Sequence, residues 1–282
     1  MLRLTLMSDL WLSDEMTQDA ITLSKSTLDV GLVPADADVM RRFYADIIGL
    51  PSREPMQLPG GLLHQYEVGD SVLKLYCVEP SPSAAPGGIE SAIGYRLITM
   101  LLPELDAVVE RATQAGVSVQ TMTFPAEGGQ GVPLAFLSDP DGNFLELVGV
   151  PEMPGYSPSL QIGLTVADTE RTMAFFTTVL GLSPDPPMTV GELIRQSVQF
   201  GRTTVKFWTR DPEPPSRTGG ITDLAGIRYM TAWVTDMDDV VARLTEHSIP
   251  TPVPLTDLGG ARICIAADPD GNWIEFVQTD GG

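Results

Sequence analysis

The sequence predicts an α+β fold of four βαβββ modules, in which pairs of modules form open eight-stranded cups. Two observations support this prediction. The chain contains two copies of one pattern, and each copy closes on an Asp-Pro-Asp-Gly-Asn turn followed by a strand that carries a glutamate. Within each copy, the order of one strand, one helix and further strands occurs twice. A chain of 282 residues is long enough for two such copies, each with its own core.

The two copies are related by a constant shift in residue number. Asp29-Val-Gly-Leu matches Gln161-Ile-Gly-Leu, and Lys74 matches Lys206, at an offset of 132 residues (206 − 74). At the closing turns the offset is 129 residues (268 − 139), which a short deletion before the last strand explains. The repeat therefore predicts two domains, residues 28–150 and 158–279, joined through residues 151–159. Residues 1–27 are predicted to be a poorly ordered N-terminal extension without the basic start of a signal peptide.

The elements follow the same order in each copy. In the first copy, Asp36 is predicted to cap the first helix and Gly49 to end it, because these residue types favour those positions. The predicted elements of the first copy are strand 28–33, helix 36–48, strands 62–67 and 72–78, strand 96–102, helix 104–115 and a turn at 139–143. The second copy has helices at 168–180 and 236–247 and a turn at 268–272. Proline and glycine set the turn dihedrals, so we assign no chemistry to the turns.

Composition restricts the class of partner. The formal net charge of −20 repels nucleic acids and anionic membrane surfaces, and no apolar run is long enough to span a bilayer. The two cysteines, Cys77 and Cys264, lack metal spacing and indicate reduced thiols. We therefore expect a cytoplasmic monomer or homodimer whose partner is a small molecule.

Two segments resemble the closing motif of the vicinal oxygen chelate superfamily, which includes glyoxalase I, extradiol dioxygenases and bleomycin-resistance proteins. They are Asp139-Pro-Asp-Gly-Asn-Phe-Leu-Glu146 and Asp268-Pro-Asp-Gly-Asn-Trp-Ile-Glu275. The opening strands also fit, each followed fifteen residues later by an aromatic residue, Tyr44 or Phe176. The resemblance covers residues 28–278 and implies two glyoxalase-like domains. It does not fix an activity, because the superfamily hosts many chemistries.

The resemblance also implies where metal ligands would lie, since each module can supply one ligand from its first or last strand. The matching positions are Asp29, Lys74, Leu97 and Glu146 in the first copy, and Gln161, Lys206, Tyr229 and Glu275 in the second. None is a histidine, which argues against an extradiol dioxygenase, because its iron needs two histidines and a carboxylate. We expect no cofactor. The alternative is a divalent metal ion held by the oxygen atoms of Asp29, Glu146, Gln161 and Glu275.

Lys74 and Lys206 stand where a glyoxalase-like protein would carry a ligand glutamate. An ammonium repels a cation but neutralises a carboxylate. If neighbouring modules share a cup, Lys206 faces Glu275 and Lys74 faces Glu146. These pairs are either structural salt bridges or acid–base pairs in which each group shifts the pKa of the other. A one-residue slip in register would instead place both lysines on the outer face.

Strand alternation predicts which side chains line each cup. In the second copy, the residues in phase are Gln161, Lys206, Trp208, Tyr229, Thr231, Trp233, Trp273 and Glu275. Aromatic side chains with a few polar groups are typical of a small-molecule site, so this copy is the preferred ligand site. Asp29, Lys74 and Glu146 occupy the more aliphatic first copy. If the outer modules and the inner modules pair instead, the sites mix. Asp29, Lys74, Tyr229 and Glu275 then share one cup, and Leu97, Glu146, Gln161 and Lys206 share the other.

The functional hypothesis is a small-molecule-binding protein that sequesters or acts on an aromatic or apolar ligand without a histidine-based metal site. The alternative is a lyase or isomerase, either metal-free with Glu275, Lys206 and Tyr229 as catalytic residues, or dependent on a divalent metal. A third hypothesis is an interaction protein whose cups no longer bind ligands.

Overall fold

The computed structural model of the chain describes residues 20–84, 87–125, 131–150 and 157–280. These residues form sixteen strands and four helical segments. The strands of the first copy are β1 (Asp29–Val33), β2 (Met56–Leu58), β3 (Gly61–Val68), β4 (Ser71–Val78), β5 (Gly94–Leu102), β6 (Gln120–Phe124), β7 (Val132–Ser138) and β8 (Phe144–Gly149). Those of the second copy are β9 (Ser159–Thr165), β10 (Met188–Val190), β11 (Leu193–Phe200), β12 (Thr203–Trp208), β13 (Gly226–Trp233), β14 (Val253–Asp257), β15 (Ala261–Ala267) and β16 (Trp273–Thr279).

One helical segment follows the first strand of each module. They are α1 (Ala37–Arg42, continued by a wider π-helical segment Phe43–Ile48), α2 (Leu105–Gln114), α3 (Thr169–Ala174, continued by Phe175–Val179) and α4 (Met237–Glu246). The Asp36 carboxylate accepts a hydrogen bond from Val39 N at 3.0 Å, and Gly49 ends the first helix with a φ of 84°. Both residues therefore have the predicted roles. None of the helices in the described residues is long and apolar enough to cross a membrane.

The strands form two curled eight-stranded sheets, which confirms the predicted α+β fold of four modules. The first sheet has the order β14-β15-β16-β13-β1-β4-β3-β2 and the second has the order β10-β11-β12-β9-β5-β8-β7-β6. The first combines the outermost modules of the chain, and we call it the terminal sheet. The second combines the two middle modules, and we call it the central sheet. Each sheet thus takes half of its strands from each copy.

Two antiparallel strand pairs join the modules. In the terminal sheet β1 pairs with β13, so that Asp29 lies opposite Thr231. In the central sheet β5 pairs with β9, so that Thr99 lies opposite Gln161. Within each module the first strand runs parallel to the last, as for β13 and β16. This pairing decides between the two arrangements that the sequence left open, because it puts residues of both copies into each cup.

The closing turns are structural, as predicted. The Asp139 carboxylate accepts hydrogen bonds from Asn143 N at 2.8 Å and from the Tyr44 hydroxyl at 2.8 Å. Asp268 accepts the matching bond from Asn272 N at 2.8 Å. Each turn therefore uses its first aspartate as an internal hydrogen-bond acceptor, which fixes the start of the last strand.

Residues 20–27 pack against the fold, so the predicted poor order of the N-terminal extension is wrong for this part. Ile21 is fully buried and its amide donates to Leu180 O at 3.1 Å, while Leu23 bridges to Val234. Apolar burial and backbone pairing hold the segment in place. Residues 1–19, and residues 151–156 of the predicted domain boundary, lie outside the described residues.

Candidate functional site

The terminal cup is the face of the terminal sheet that carries Lys74 and Glu275. Lys74 Nζ lies 3.0 Å from Glu275 Oε2 and donates to Thr231 Oγ1 at 2.7 Å. The Thr231 hydroxyl in turn donates to Glu275 Oε2 at 2.6 Å. The Lys74 side chain is 9% exposed and that of Glu275 is 18% exposed. The pair is therefore largely withdrawn from solvent, where charge-assisted hydrogen bonds are strong.

Aromatic side chains surround this ion pair. Lys74 Nζ lies 5.6 Å from the ring centroid of Tyr229 and 5.9 Å from that of Trp233, both within the range of a cation–π contact. Strand alternation puts the half-buried Trp273 and Tyr76 on the same face, next to Glu275 and Lys74 along their strands. The terminal cup therefore combines four aromatic rings with one ammonium and one carboxylate.

Asp29 is buried at the edge of this cup, and its carboxylate oxygens are already bonded. One oxygen accepts from Val72 N at 2.7 Å, and the other accepts from Trp233 Nε1 at 2.7 Å. Lys25, from the N-terminal segment, forms an ion pair with the first oxygen. The carboxylate thus orients the Trp233 indole and links the N-terminal segment to the cup.

The central cup repeats the ion pair with different neighbours. Lys206 Nζ lies 2.9 Å from Glu146 Oε2 and 3.0 Å from Thr99 Oγ1, and the Thr99 hydroxyl donates to Glu146 at 2.6 Å. Trp208 is 4% exposed, and its indole donates to Thr165 Oγ1 at 2.9 Å. Leu97 and Leu101 occupy the positions that Tyr229 and Trp233 hold in the terminal cup (229 − 97 and 233 − 101 both equal 132). The central cup therefore lacks the two rings that face Lys74 in the terminal cup.

Burial and neighbouring charges set the protonation of these groups. Burial alone would raise the pKa of Glu146, but Lys206 and the Thr99 hydroxyl outweigh it and lower that pKa below its ordinary value. Burial lowers the pKa of Lys206, against the opposing effect of Glu146. Burial, with Glu275 and Asp29 nearby, raises the pKa of Tyr229 well above 10. Tyr229 is therefore a protonated hydrogen-bond donor at neutral pH.

The predicted partners of the two lysines are exchanged. Lys206 pairs with Glu146 rather than with Glu275, and Lys74 pairs with Glu275 rather than with Glu146. The physical reason is the antiparallel pairing of β1 with β13 and of β5 with β9, which closes each sheet across the two copies. Both lysines nevertheless lie inside the cups, because the strand register is the predicted one.

The predicted ligand site in the second copy is also divided by this pairing. Tyr229, Thr231, Trp233, Trp273 and Glu275 lie in the terminal cup together with Asp29 and Lys74. Gln161, Lys206 and Trp208 lie in the central cup with Glu146. The prediction that the second copy alone forms the ligand site is therefore wrong. The aromatic face is formed by the first and the last module of the chain, one from each copy.

Arg195 of the central cup was not predicted. It lies two residues from Ser197, which is opposite Lys206, and its Nε is buried without a hydrogen-bond partner among the described residues. Burial lowers the pKa of Arg195, while Glu146 and Asp185 oppose that shift. Strand alternation along β11 places Arg195 on the same face as Ser197, but β11 carries none of the superfamily's ligand positions, so the resemblance gives no signal for this residue.

The residues at the superfamily's ligand positions do not fit a divalent cation. An ammonium lies within 3.0 Å of Glu275 and of Glu146, where it would repel a metal ion. Both oxygens of Asp29 already accept hydrogen bonds. Within the described ranges, no group of three or more histidine, cysteine, aspartate or glutamate residues is arranged to hold a metal ion. We therefore assign no step to a bound metal.

The fold and the duplicated cups define the class of protein. The family model of the Glyoxalase/Bleomycin resistance protein/Dioxygenase superfamily matches residues 28–147 and 159–276. The chain therefore belongs to this superfamily, with two matched regions in tandem.

Individual relatives are distant. A lactoylglutathione lyase of Arabidopsis thaliana is 24% identical over 148 residues, which is 52% of this chain and 51% of the relative, so the chain matches about half the length of that protein. Glyoxalase I from Zea mays superposes with a TM-score of 0.68 at 17% identity, covering 89% of this chain and 92% of that one. The cppA protein from Streptococcus pneumoniae superposes with a TM-score of 0.55 at 9% identity, covering 93% and 99%. Structural likeness at this identity shows the fold alone.

Proposed function

We propose that the chain is a small-molecule-binding protein whose terminal cup binds an aromatic or apolar ligand without a metal ion. The observation that carries this proposal is the set of aromatic rings around the Lys74–Glu275 pair. Apolar walls with a few convergent polar groups are the usual composition of a small-molecule site. Rings of this kind stack on flat ligands and supply most of the buried area.

The ion pair supplies the polar contacts for such a ligand. An ammonium has three N–H donors, and the bonds of Lys74 to Thr231 and Glu275 use two of them. The third is available to a ligand carbonyl or hydroxyl. Tyr229, which stays protonated, is a second donor candidate on the same face. The cup thus suits an aromatic ligand that carries a hydrogen-bond acceptor.

The central cup provides an internal comparison. It has the same ammonium, carboxylate and threonine, but it has leucines in place of Tyr229 and Trp233. We infer that its Lys206–Glu146 pair is mainly structural. A ligand that depends on aromatic stacking should therefore discriminate between the two cups.

Tryptophan fluorescence tests this proposal. A panel of aromatic compounds is titrated into the wild-type protein and into the variants Trp233→Phe, Trp273→Phe and Trp208→Phe. We expect saturable quenching in the wild type and in Trp208→Phe, and a quenching amplitude at least halved in one or both of the terminal-cup variants. If no compound gives saturable quenching, or if only Trp208→Phe loses it, the proposal is wrong.

A second candidate is a metal-free lyase or isomerase in the same cup. It is favoured by the contact of an ammonium, a carboxylate and a protonated phenol on one face, formed by Lys74, Glu275 and Tyr229. Lys74 replaces Lys206 in this role, since Lys206 lies in the other cup. The partial match to a lactoylglutathione lyase makes lyase activity toward lactoylglutathione the first activity to assay. Turnover that survives Lys74→Met but not Lys206→Met would exclude this candidate.

A further inference from the structure

Three arginines meet where the terminal and central sheets adjoin. Arg96 lies on β5 of the central sheet, Arg228 lies on β13 of the terminal sheet, and Arg217 lies on the loop between β12 and β13. Arg96 and Arg228 are equivalent positions of the two copies, because 228 − 96 equals the repeat offset of 132. Neither cup includes these residues, and the superfamily's ligand positions do not coincide with them.

The two strand arginines are deeply buried. Arg96 is 8% exposed and Arg228 is 4% exposed. Arg228 donates to Arg217 O at 3.0 Å and to Gly220 O at 2.8 Å, so its two terminal nitrogens have partners. The Nε atoms of Arg96 and Arg228 are buried without a hydrogen-bond partner among the described residues. Donor capacity is thus left over on both arginines.

The three arginines also carry positive charge that is only partly compensated. Burial, followed by repulsion from Arg217 and Arg228, lowers the pKa of Arg96 to about 10. A guanidinium ordinarily titrates above 12, and burying one without a counter-charge is costly. Asp223 supports the charge of Arg228 and accepts a hydrogen bond from Gly220 N at 2.7 Å. In a chain with a net charge of −20, the cluster is a local excess of positive charge.

A glycine lies directly beside the Arg96 guanidinium. Gly94 has a φ of 130°, and a Cβ built on it would lie 3.6 Å from Arg96 Nη2, 3.6 Å from Arg217 O and 3.5 Å from Asn272 Oδ1. These are ordinary contact distances, so the glycine leaves this side of the Arg96 guanidinium uncovered by a side chain. Ile93 pairs with the loop on both sides of Ser216, which holds Arg217 close to Gly94.

We propose that Arg96, Arg217 and the free Nε of Arg228 bind an oxyanion at the sheet junction, either a phosphate or a carboxylate group. Such a group accepts several N–H bonds at once and matches the planar donor geometry of a guanidinium. The bound anion supplies the counter-charge that the described residues around Arg96 lack. This site is independent of the terminal cup and does not rest on the proposed function.

Thermal unfolding of the full chain tests the site. Inorganic phosphate is added at constant ionic strength, with chloride as the balancing anion and sulfate as a second probe. Because a ligand that binds only the folded state raises Tm, we expect a saturable increase with phosphate in the wild type. Arg96→Gln should abolish the increase. The exposed Arg53→Gln, which removes one positive charge from the Arg53–Glu67 pair, should keep it.

Two outcomes overturn the proposal. One is the absence of a saturable Tm increase with phosphate in the wild type. The other is an increase of equal size in Arg96→Gln, which would indicate a general salt effect on stability. Because Arg96→Gln also removes a buried charge, its Tm without phosphate can differ from that of the wild type. The Tm increase of each protein is therefore measured from its own Tm without phosphate.

A calorimetric titration covers the case in which Arg96→Gln does not fold. Arg217 is exposed, so Arg217→Gln should fold and should bind phosphate at least fivefold more weakly than the wild type. Inorganic phosphate, phenyl phosphate and benzoate are compared on the wild type, which distinguishes a free ion from a ligand-borne group. Unchanged phosphate affinity in Arg217→Gln, or no heat with any of the three compounds, contradicts the site.

Discussion

Each cup contains one buried ammonium bonded to one glutamate and one threonine hydroxyl. Lys74 and Lys206 hold the positions at which the superfamily places a metal ligand, and each lies within 3.0 Å of the glutamate that would bind the same ion. A buried carboxylate needs a counter-charge, and here the chain itself supplies it. Removing either partner of a pair therefore leaves an uncompensated buried charge.

Lys74→Met should therefore destabilise the protein by about 3 kcal/mol, because it strands the Glu275 carboxylate among aromatic rings. The double variant Lys74→Met/Glu275→Gln should recover most of the loss, since no unpaired charge remains. Urea unfolding measures both. A single variant that costs less than about 1 kcal/mol would place the pair in the weak class of solvent-screened ion pairs.

The pH dependence of stability should carry the signature of Glu146. Its folded-state pKa is lowered, so the unfolded chain binds more protons at acid pH, and the stabilisation is lost as the pH falls through the folded-state pKa. Glu146→Gln should flatten the acid limb of a plot of unfolding free energy against pH, from the ordinary glutamate pKa of about 4.3 downwards. Glu67→Gln, at an exposed ion pair, is the control and should leave the acid limb steep. Identical acid limbs in wild type and Glu146→Gln would show that the pair with Lys206 does not lower the folded-state pKa of Glu146.

Among the strands, the first strand of each copy carries a glycine on which an aromatic ring packs. A Cβ on Gly31 of β1 would lie 2.1 Å from Tyr229 Cε1, and one on Gly163 of β9 would lie 2.6 Å from Trp208 Cη2. Neither glycine needs a left-handed φ, so the requirement is space alone. The glycine in Asp-Val-Gly-Leu and Gln-Ile-Gly-Leu is thus explained by an aromatic residue packed on the strand.

Gly31→Ala should displace the Tyr229 ring, lower stability by about 1–3 kcal/mol and weaken ligand binding in the terminal cup. Gly163→Ala should have a similar cost in stability but leave that binding unchanged, because Trp208 lies in the central cup. Gly88→Ala, with no atom within 4 Å of the added Cβ, is the control for both. Equal ligand affinity in Gly31→Ala and wild type would separate Tyr229 from the ligand site.

At the scale of the whole molecule, neither copy builds a complete sheet. The antiparallel pairs β1–β13 and β5–β9 both join one copy to the other. A copy produced alone would expose β1 and β5, or β9 and β13, as unpaired edges, and such edges promote association. The two matched regions of the chain are therefore expected to fold as one unit.

Residues 28–150 and 158–279 produced separately should accordingly be aggregated or poorly folded, whereas the two fragments produced together should form a one-to-one complex. Size-exclusion chromatography and thermal unfolding measure this. Two fragments that are each monomeric and unfold cooperatively on their own would contradict the cross-copy account of the sheets.

The sequence predicts the modules and their strand register well, because the repeat offset and the turn motifs are local signals. It leaves the pairing of modules open, because the contact of β1 with β13 joins residues about 200 positions apart, such as Asp29 and Thr231. Residue type does not decide between the arrangements either, because each lysine faces a glutamate in both of them. Arg96 and Arg228 lie outside the predicted site for a different reason: each is one residue out of phase with the cup-lining positions Leu97 and Tyr229 of its strand. Arg195 lies on β11, a strand that carries none of the superfamily's ligand positions.

We propose that an internal ammonium takes the electrostatic place of a metal ion and leaves the terminal cup to bind an aromatic ligand. The most direct measurement is the affinity of the best-quenching compound after exhaustive dialysis against a chelator, and again after addition of Zn²⁺, Ni²⁺ or Mn²⁺. We expect the same dissociation constant, within twofold, under all of these conditions. A tenfold or larger gain with one metal, accompanied by stoichiometric metal uptake that Glu275→Ala abolishes, would contradict it.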